Sequence, residues 1–189
     1  MTIFEFISVM VSIILGLSVT QLLLAVSQFA RNSSRVKPYL PHTLLLVALA
    51  LWHFLLWWSF WDYRNVEWNY ARFTVIMLEP LALFLTTSIA IPRNFDDDQV
   101  DMRAYFYEIR YWFFLSFVFL QCLSILDGPV IFRSESLWIG FRIPQLIFLS
   151  ALILGLIVPK HWAQQLSAWV VLLLLISASY FRFLPAAFS

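Results

Sequence analysis

Apolar residues in this chain come in long, nearly unbroken runs, not at the three-and-four spacing of a soluble amphipathic helix, and most polar residues gather between the runs. Six runs stand out: 2–30, 43–61, 73–91, 111–126, 138–158 and 166–184. A hydrophobic helix needs roughly 20 residues to cross about 30 Å of hydrocarbon. Each run therefore predicts a membrane-crossing helix, the fourth only with help from its flanking aromatics. All five connections are short. The pattern predicts one domain over residues 1–189, an all-α polytopic transmembrane helix bundle of six spans with the lipid bilayer as its solvent.

Composition agrees. The chain is 62% hydrophobic and 12% charged, where an average soluble domain is about 25% charged. A net charge of +1 supplies no basic field for nucleic acid. The single cysteine, Cys122, cannot form an intrachain disulfide. The start Met1-Thr2-Ile3-Phe4-Glu5-Phe6 lacks a basic leader and its apolar run is long, so the first span is expected to be a retained helix.

Lysine and arginine bias sets orientation. One side carries Arg31, Arg35, Lys37, Arg93, Arg103, Arg110 and Lys160, against Arg64, Arg72, Arg133, Arg142 and Arg182 on the other. The richer side is expected in the cytoplasm and both termini outside. Trp57, Trp58 and Trp61, with Tyr63 and Trp68, predict one aromatic belt, and Tyr111, Trp112 and Trp162 the other. Pro38 with Pro41, and Gly128-Pro129, are expected to punctuate helix ends. No internal repeat relates the two halves.

Four polar residues fall at similar depth on four spans: His53, Glu79, Gln121 and Arg142. An ionised side chain near the bilayer centre costs about 2.5–3.5 kcal/mol on insertion scales and needs a partner or water. Pro80 follows Glu79 directly and Pro144 follows Arg142 by two. Each proline removes a backbone donor and frees a carbonyl one turn earlier. Two readings follow. The four residues line an outward-facing polar cavity, or Glu79 and Arg142 form an ion pair that locks spans 3 and 5, with His53 and Gln121 as hydrogen-bonding glue. Ser8, Ser12, Gly16 and Thr20 put a small residue at every fourth position of span 1. This stripe predicts close packing against a neighbouring span, or a homo-oligomer seam, with Gln21 bonding across the same contact.

Asp97-Asp98-x-x-Asp101 is similar to the magnesium-holding acidic motif of polyprenyl-diphosphate enzymes, but no second acidic cluster accompanies it, so a solvated acidic loop is expected. From Val100 to Tyr111 an interfacial helix is expected, offering Tyr105, Phe106 and Trp112 to the headgroups. Only His53 is deep, while His42 and His161 lie near one interface, so haem is not expected and no cofactor or metal site is assigned. Potassium-filter, CDP-alcohol phosphotransferase, Gly-x-Ser-x-Gly and His-Glu-x-x-His patterns are absent, and no enzymatic activity is expected.

The stretches Phe4-Glu5-Phe6-Ile7-Ser8-Val9, Ser12-Ile13-Ile14-Leu15-Gly16-Leu17, Met102-Arg103-Ala104-Tyr105-Phe106 and Arg110-Tyr111-Trp112-Phe113-Phe114 resemble those of small bacterial multi-pass proteins without assigned activity. The resemblance implies a bacterial inner-membrane protein and no particular mechanism. Two functional classes fit: a small channel or transporter using the polar cavity, and a non-transporting sensor, assembly or effector subunit that acts through helix packing with a protein partner.

Overall fold

A computed structural model describes residues 2–92, 100–132 and 139–183, with side chains described outside 127–141 and 181–183. Six α-helices lie among them: α1 (Ile3–Arg31), α2 (Leu40–Ser59), α3 (Tyr70–Ala90), α4 (Met102–Phe132), α5 (Ile139–Ile157) and α6 (His161–Phe183). Residues Phe60–Asn65 extend α2 as a 3-10 turn. The fold is all-α, as the runs predict. Five of the helices are long and apolar enough to cross a membrane, whereas the apolar stretch of α5, Arg142–Ile157, is shorter. The exterior is lipid-like: Ile13, Leu17, Leu23, Phe54, Phe119 and Leu173 are all exposed. A water-soluble bundle does not present apolar surface on that scale.

Local chemistry sets the helix ends. In α1, the Glu5 N–H donates to Thr2 Oγ1 (3.2 Å) and the Thr2 N–H to the Glu5 carboxylate (2.8 Å), a complete capping box. The Asn69 side chain caps α3 by accepting from the Arg72 N–H at 2.9 Å. Asp101 caps α4, its Oδ1 accepting from the N–H groups of Arg103 (2.8 Å) and Ala104 (3.3 Å). That cap corrects the expected interfacial helix. Residues 102–132 form one continuous helix of 31 residues, the longest among the described residues, which runs on through Gly128-Pro129. Phe106 is fully buried instead of facing headgroups, and Tyr105 donates to the Ile89 carbonyl at 2.9 Å. Trp112 does lie exposed, as expected.

A two-stranded parallel clip joins the connections on one side of the bundle. Val36–Lys37 (β1) pairs with Val100–Asp101 (β2), and the Val100 N–H donates to the Arg35 carbonyl at 3.0 Å. We call this the clip side and the opposite face, where α1 begins, the terminal side. The main helix pairings are α3 with α4, α2 with α6, α4 with α5, α5 with α6 and α1 with α3; α2 also touches α1, α3 and α4. The core is aromatic. Trp52 on α2, Phe117 on α4 and Phe148 on α5 meet with ring centroids 5.3–5.9 Å apart.

The α1 stripe corrects a second expectation. Helix α1 buries Ile7, Val11, Leu15, Ser18, Leu22 and Ala25, with Ser8 and Ser12 half-buried beside that face. Gly16 and Thr20 are exposed, and a Cβ added at Gly16 meets nothing within 4 Å. Gly16 and Thr20 therefore do not pack against a neighbouring span. Gln21 does bond across helices, its Oε1 accepting from Ser88 on α3 at 2.8 Å.

Candidate functional site

Lipid offers no hydrogen bonds, so each carbonyl released by a proline or a helix end must find a donor within the protein. Three such places organise the polar residues. Pro159 has no N–H to give the Gly155 carbonyl at the end of α5. Arg110 of α4 donates one Nη1 to Gly155 O (2.8 Å) and Leu156 O (2.6 Å), and Gln164 of α6 donates to Gly155 O (3.0 Å) and Val158 O (2.7 Å). At the end of α3, the carbonyl of Ala90 accepts from His42 Nε2 at 2.9 Å, beside the Ile89–Tyr105 bond. Within α4, Pro129 cannot serve the Ile125 carbonyl, and Arg142 of α5 donates to it at 2.6 Å.

Arg142 thus ties α5 to α4. Its other bond goes to Gln145 Oε1 at 3.3 Å, so its described contacts do not include the Glu79 ion pair expected between spans 3 and 5. His53 is also placed elsewhere. Its Nδ1 donates to its own-helix Leu49 carbonyl at 2.7 Å, which leaves Nε2 to accept from the Ser18 hydroxyl of α1 at 2.6 Å. His53 joins α1 to α2 and does not line a cavity with the others.

Glu79 and Gln121 do come together. On the terminal side a cavity of about 310 Å³ opens among five helices, with Glu79 of α3, Gln121 and Ser124 of α4, Gln145 of α5, and Ser59 and Tyr63 from α2 and its 3-10 turn supplying polar groups. Trp52, Phe148 and Leu175 form apolar walls. Its volume is at the low end of the roughly 300–1,000 Å³ of small-molecule sites. Glu79 is only 5% exposed and Gln121 3%. Of the two prolines that adjoin the predicted polar residues, Pro144 lines the cavity, while Pro80, which withholds an N–H from the Ile76 carbonyl, is not among its lining residues.

Hydrogen bonds fix which atoms the cavity presents. Gln121 Nε2 donates to the Gln145 backbone carbonyl at 3.3 Å, leaving Gln121 Oε1 as a cavity acceptor. Arg142 takes Gln145 Oε1, leaving the Gln145 amide N–H groups as donors. Arg142 is therefore a positioning residue behind the site. Sequence reasoning missed Gln145, Ser124, Ser59 and Tyr63. Ser124 was findable, because it follows Gln121 by three and so shares its helix face.

Tyr39, outside the spans at the start of α2, sits in a second polar group on the clip side. Its hydroxyl lies 3.0 Å from His161 Nδ1. Burial, and then a hydrogen bond with Tyr107, hold its phenol well above the ordinary tyrosine range. The acidic run Asp96-Asp97-Asp98 lies outside the described residues.

The chain matches no known protein family, no curated protein and no solved structure. What fold and site define is a class: a polytopic α-helical bundle, compatible with an integral membrane protein, with a polar cavity at one end.

Proposed function

We propose that this chain is a small channel or transporter whose terminal-side cavity holds the moving solute. One observation carries the reading. In a bundle with apolar walls and an apolar exterior, a carboxylate, two carboxamides and three hydroxyls from four helices and a connecting turn converge on one space. Structural polar residues in this chain, such as Arg110 and His53, end on backbone carbonyls or a single partner. The cavity set instead gathers six polar side chains around one volume, which suits a small polar or cationic solute.

Flux into proteoliposomes tests it, using inorganic cations, protons and neutral osmolytes in turn. Wild-type protein should carry at least one of them above empty vesicles. Glu79→Gln, which keeps shape and loses charge, should remove most of that flux while the protein still elutes as wild type. Undiminished flux in Glu79→Gln would take the cavity off the pathway. No flux from any solute would return the chain to the non-transporting class of membrane subunits.

A further inference from the structure

At the turn from α5 to α6, on the clip side, two polar atoms on fully buried residues have no hydrogen-bond partner among the described residues: Gln164 Oε1 and Ser167 Oγ. They stand three residues apart in α6, which makes their side chains neighbours on one helix face. Neither residue lines the terminal-side cavity, whose α6 wall is Leu174, Leu175 and Ala178. The Gln164 amide cannot turn to relieve itself. Its two N–H bonds go to the carbonyls of Gly155 (3.0 Å) and Val158 (2.7 Å), and a flip would set oxygen against oxygen at both. Oε1 therefore needs a donor from elsewhere. Ser167 is also out of the ordinary. Other hydroxyls in these helices, as at Ser8, Ser12, Thr86 and Ser179, donate to the carbonyl one turn back. Ser167 makes no such bond, and none to Gln164.

We propose that Gln164 and Ser167 hold one buried water, which accepts from the Ser167 hydroxyl and donates to Gln164 Oε1. A buried polar atom without a partner is costly, and a water that meets two of them removes both costs at once. Charge selects the ligand. The Arg110 guanidinium donates to the same Gly155 carbonyl as Gln164, at 2.8 Å, so a metal ion would stand beside a fixed positive charge. An anion would face Oε1, itself an acceptor. A neutral molecule that both donates and accepts suits the two atoms, and water is the smallest such molecule. The site is independent of what the terminal-side cavity carries. It completes the hydrogen bonding of the α5–α6 turn, where Pro159 leaves the Gly155 carbonyl to side chains.

Water-edited solid-state NMR of the full chain in hydrated bilayers tests this by timing the passage of magnetisation from water to each side chain. Thr86 is the reference, being equally buried with its hydroxyl bonded to Ala82 O at 2.8 Å. The Ser167 Cβ signal should build up several times faster than that of Thr86 Cβ. Gln164→Met removes Oε1, and release of the water returns its immobilisation entropy, so the variant should fold. There Ser167 should slow to the Thr86 rate. The wild-type comparison decides by itself if the variant does not fold. Ser167 building up as slowly as Thr86 overturns the proposal, and so does fast build-up that survives in Gln164→Met. A Gln164 Cδ resonance that moves with sodium or potassium concentration would assign the site to a cation and overturn it as well.

Discussion

Cutting the donors that close the C-terminal end of α5 gives the sharpest test of how this bundle satisfies its backbone. Arg110→Met removes two charge-assisted bonds, to Gly155 O and Leu156 O, and a cation from the negative end of a helix dipole. Bonds to charged groups are worth about 1.5–3 kcal/mol each in soluble proteins. Interhelical hydrogen bonds inside membranes average only about 0.6 kcal/mol. Between those limits the expected loss is about 2–3 kcal/mol. Gln164→Met removes two amide bonds but also deletes a buried Oε1 that has no partner among the described residues. Its net cost should be about 1 kcal/mol. The decisive quantity is their coupling. Both side chains serve the Gly155 carbonyl, which Pro159 cannot serve, so either donor alone still keeps it bonded. The double variant should cost about 1 kcal/mol more than the two singles added together. Unfolding in bicelles by titration with dodecyl sulfate, followed by tryptophan fluorescence, measures all four corners. Arg110→Lys should recover part of the loss. Strict additivity, or an Arg110→Met loss below about 0.5 kcal/mol, would refute the shared-carbonyl account.

The remaining predictions concern packing, a buried link and pH. Gly155→Ala places a methyl inside van der Waals contact of the fully buried Phe114 ring and should destabilise by about 1–3 kcal/mol, with Phe114→Leu in the same chain restoring much of it; a neutral Gly155→Ala would show that this contact does not limit how closely α4 and α5 approach. Ser18→Ala leaves His53 Nε2 without its donor and should lower the unfolding midpoint, a loss of about 0.6–1.7 kcal/mol. His53→Phe should make any further loss from Ser18→Ala disappear, and persistence of that loss would count against the bond. Tyr39 has a raised phenol in the folded chain, so folding favours its neutral form. Its contribution is complete below the unfolded tyrosine value of about 10 and is lost as pH climbs from there through the folded value. Wild type should therefore lose stability above about pH 10 more steeply than Tyr39→Phe, and parallel curves would contradict this.

Fold class was legible because lipid makes hydropathy a strong signal: a run of apolar side chains long enough to cross can only be a helix there. Boundaries were less so. The start of α4 lies at Asp101, an ordinary N-cap, yet the arginines, tyrosines and glutamate of 103–111 interrupt the apolar run and look like a separate surface helix. Those interruptions are interhelical contacts: Arg110 closes α5 and Tyr105 closes α3. The β1–β2 clip left no mark in the sequence, since two residues a side are too few for any alternation to register.

For the site, depth along the bundle axis was readable and rotation about each helix was not. At 3.6 residues per turn each position advances about 100°. On α2 the cavity takes Trp52, Leu55, Leu56 and Ser59, one face at three-and-four spacing, and His53 stands about 100° off it, toward α1. On α5 it takes Pro144, Gln145 and Phe148, and Arg142 stands to the side, toward α4. In a soluble helix the apolar stripe would have marked the inward face, but here the outward face is as apolar as the core. The reliable guide to rotation was proline. Pro129 and Pro159 each free a carbonyl on a known helix, and Arg142, Arg110 and Gln164 turn to those carbonyls. Once those backbone carbonyls are assigned, Glu79 and Gln121 are the two predicted polar residues that still share a common space, and the cavity is where they meet.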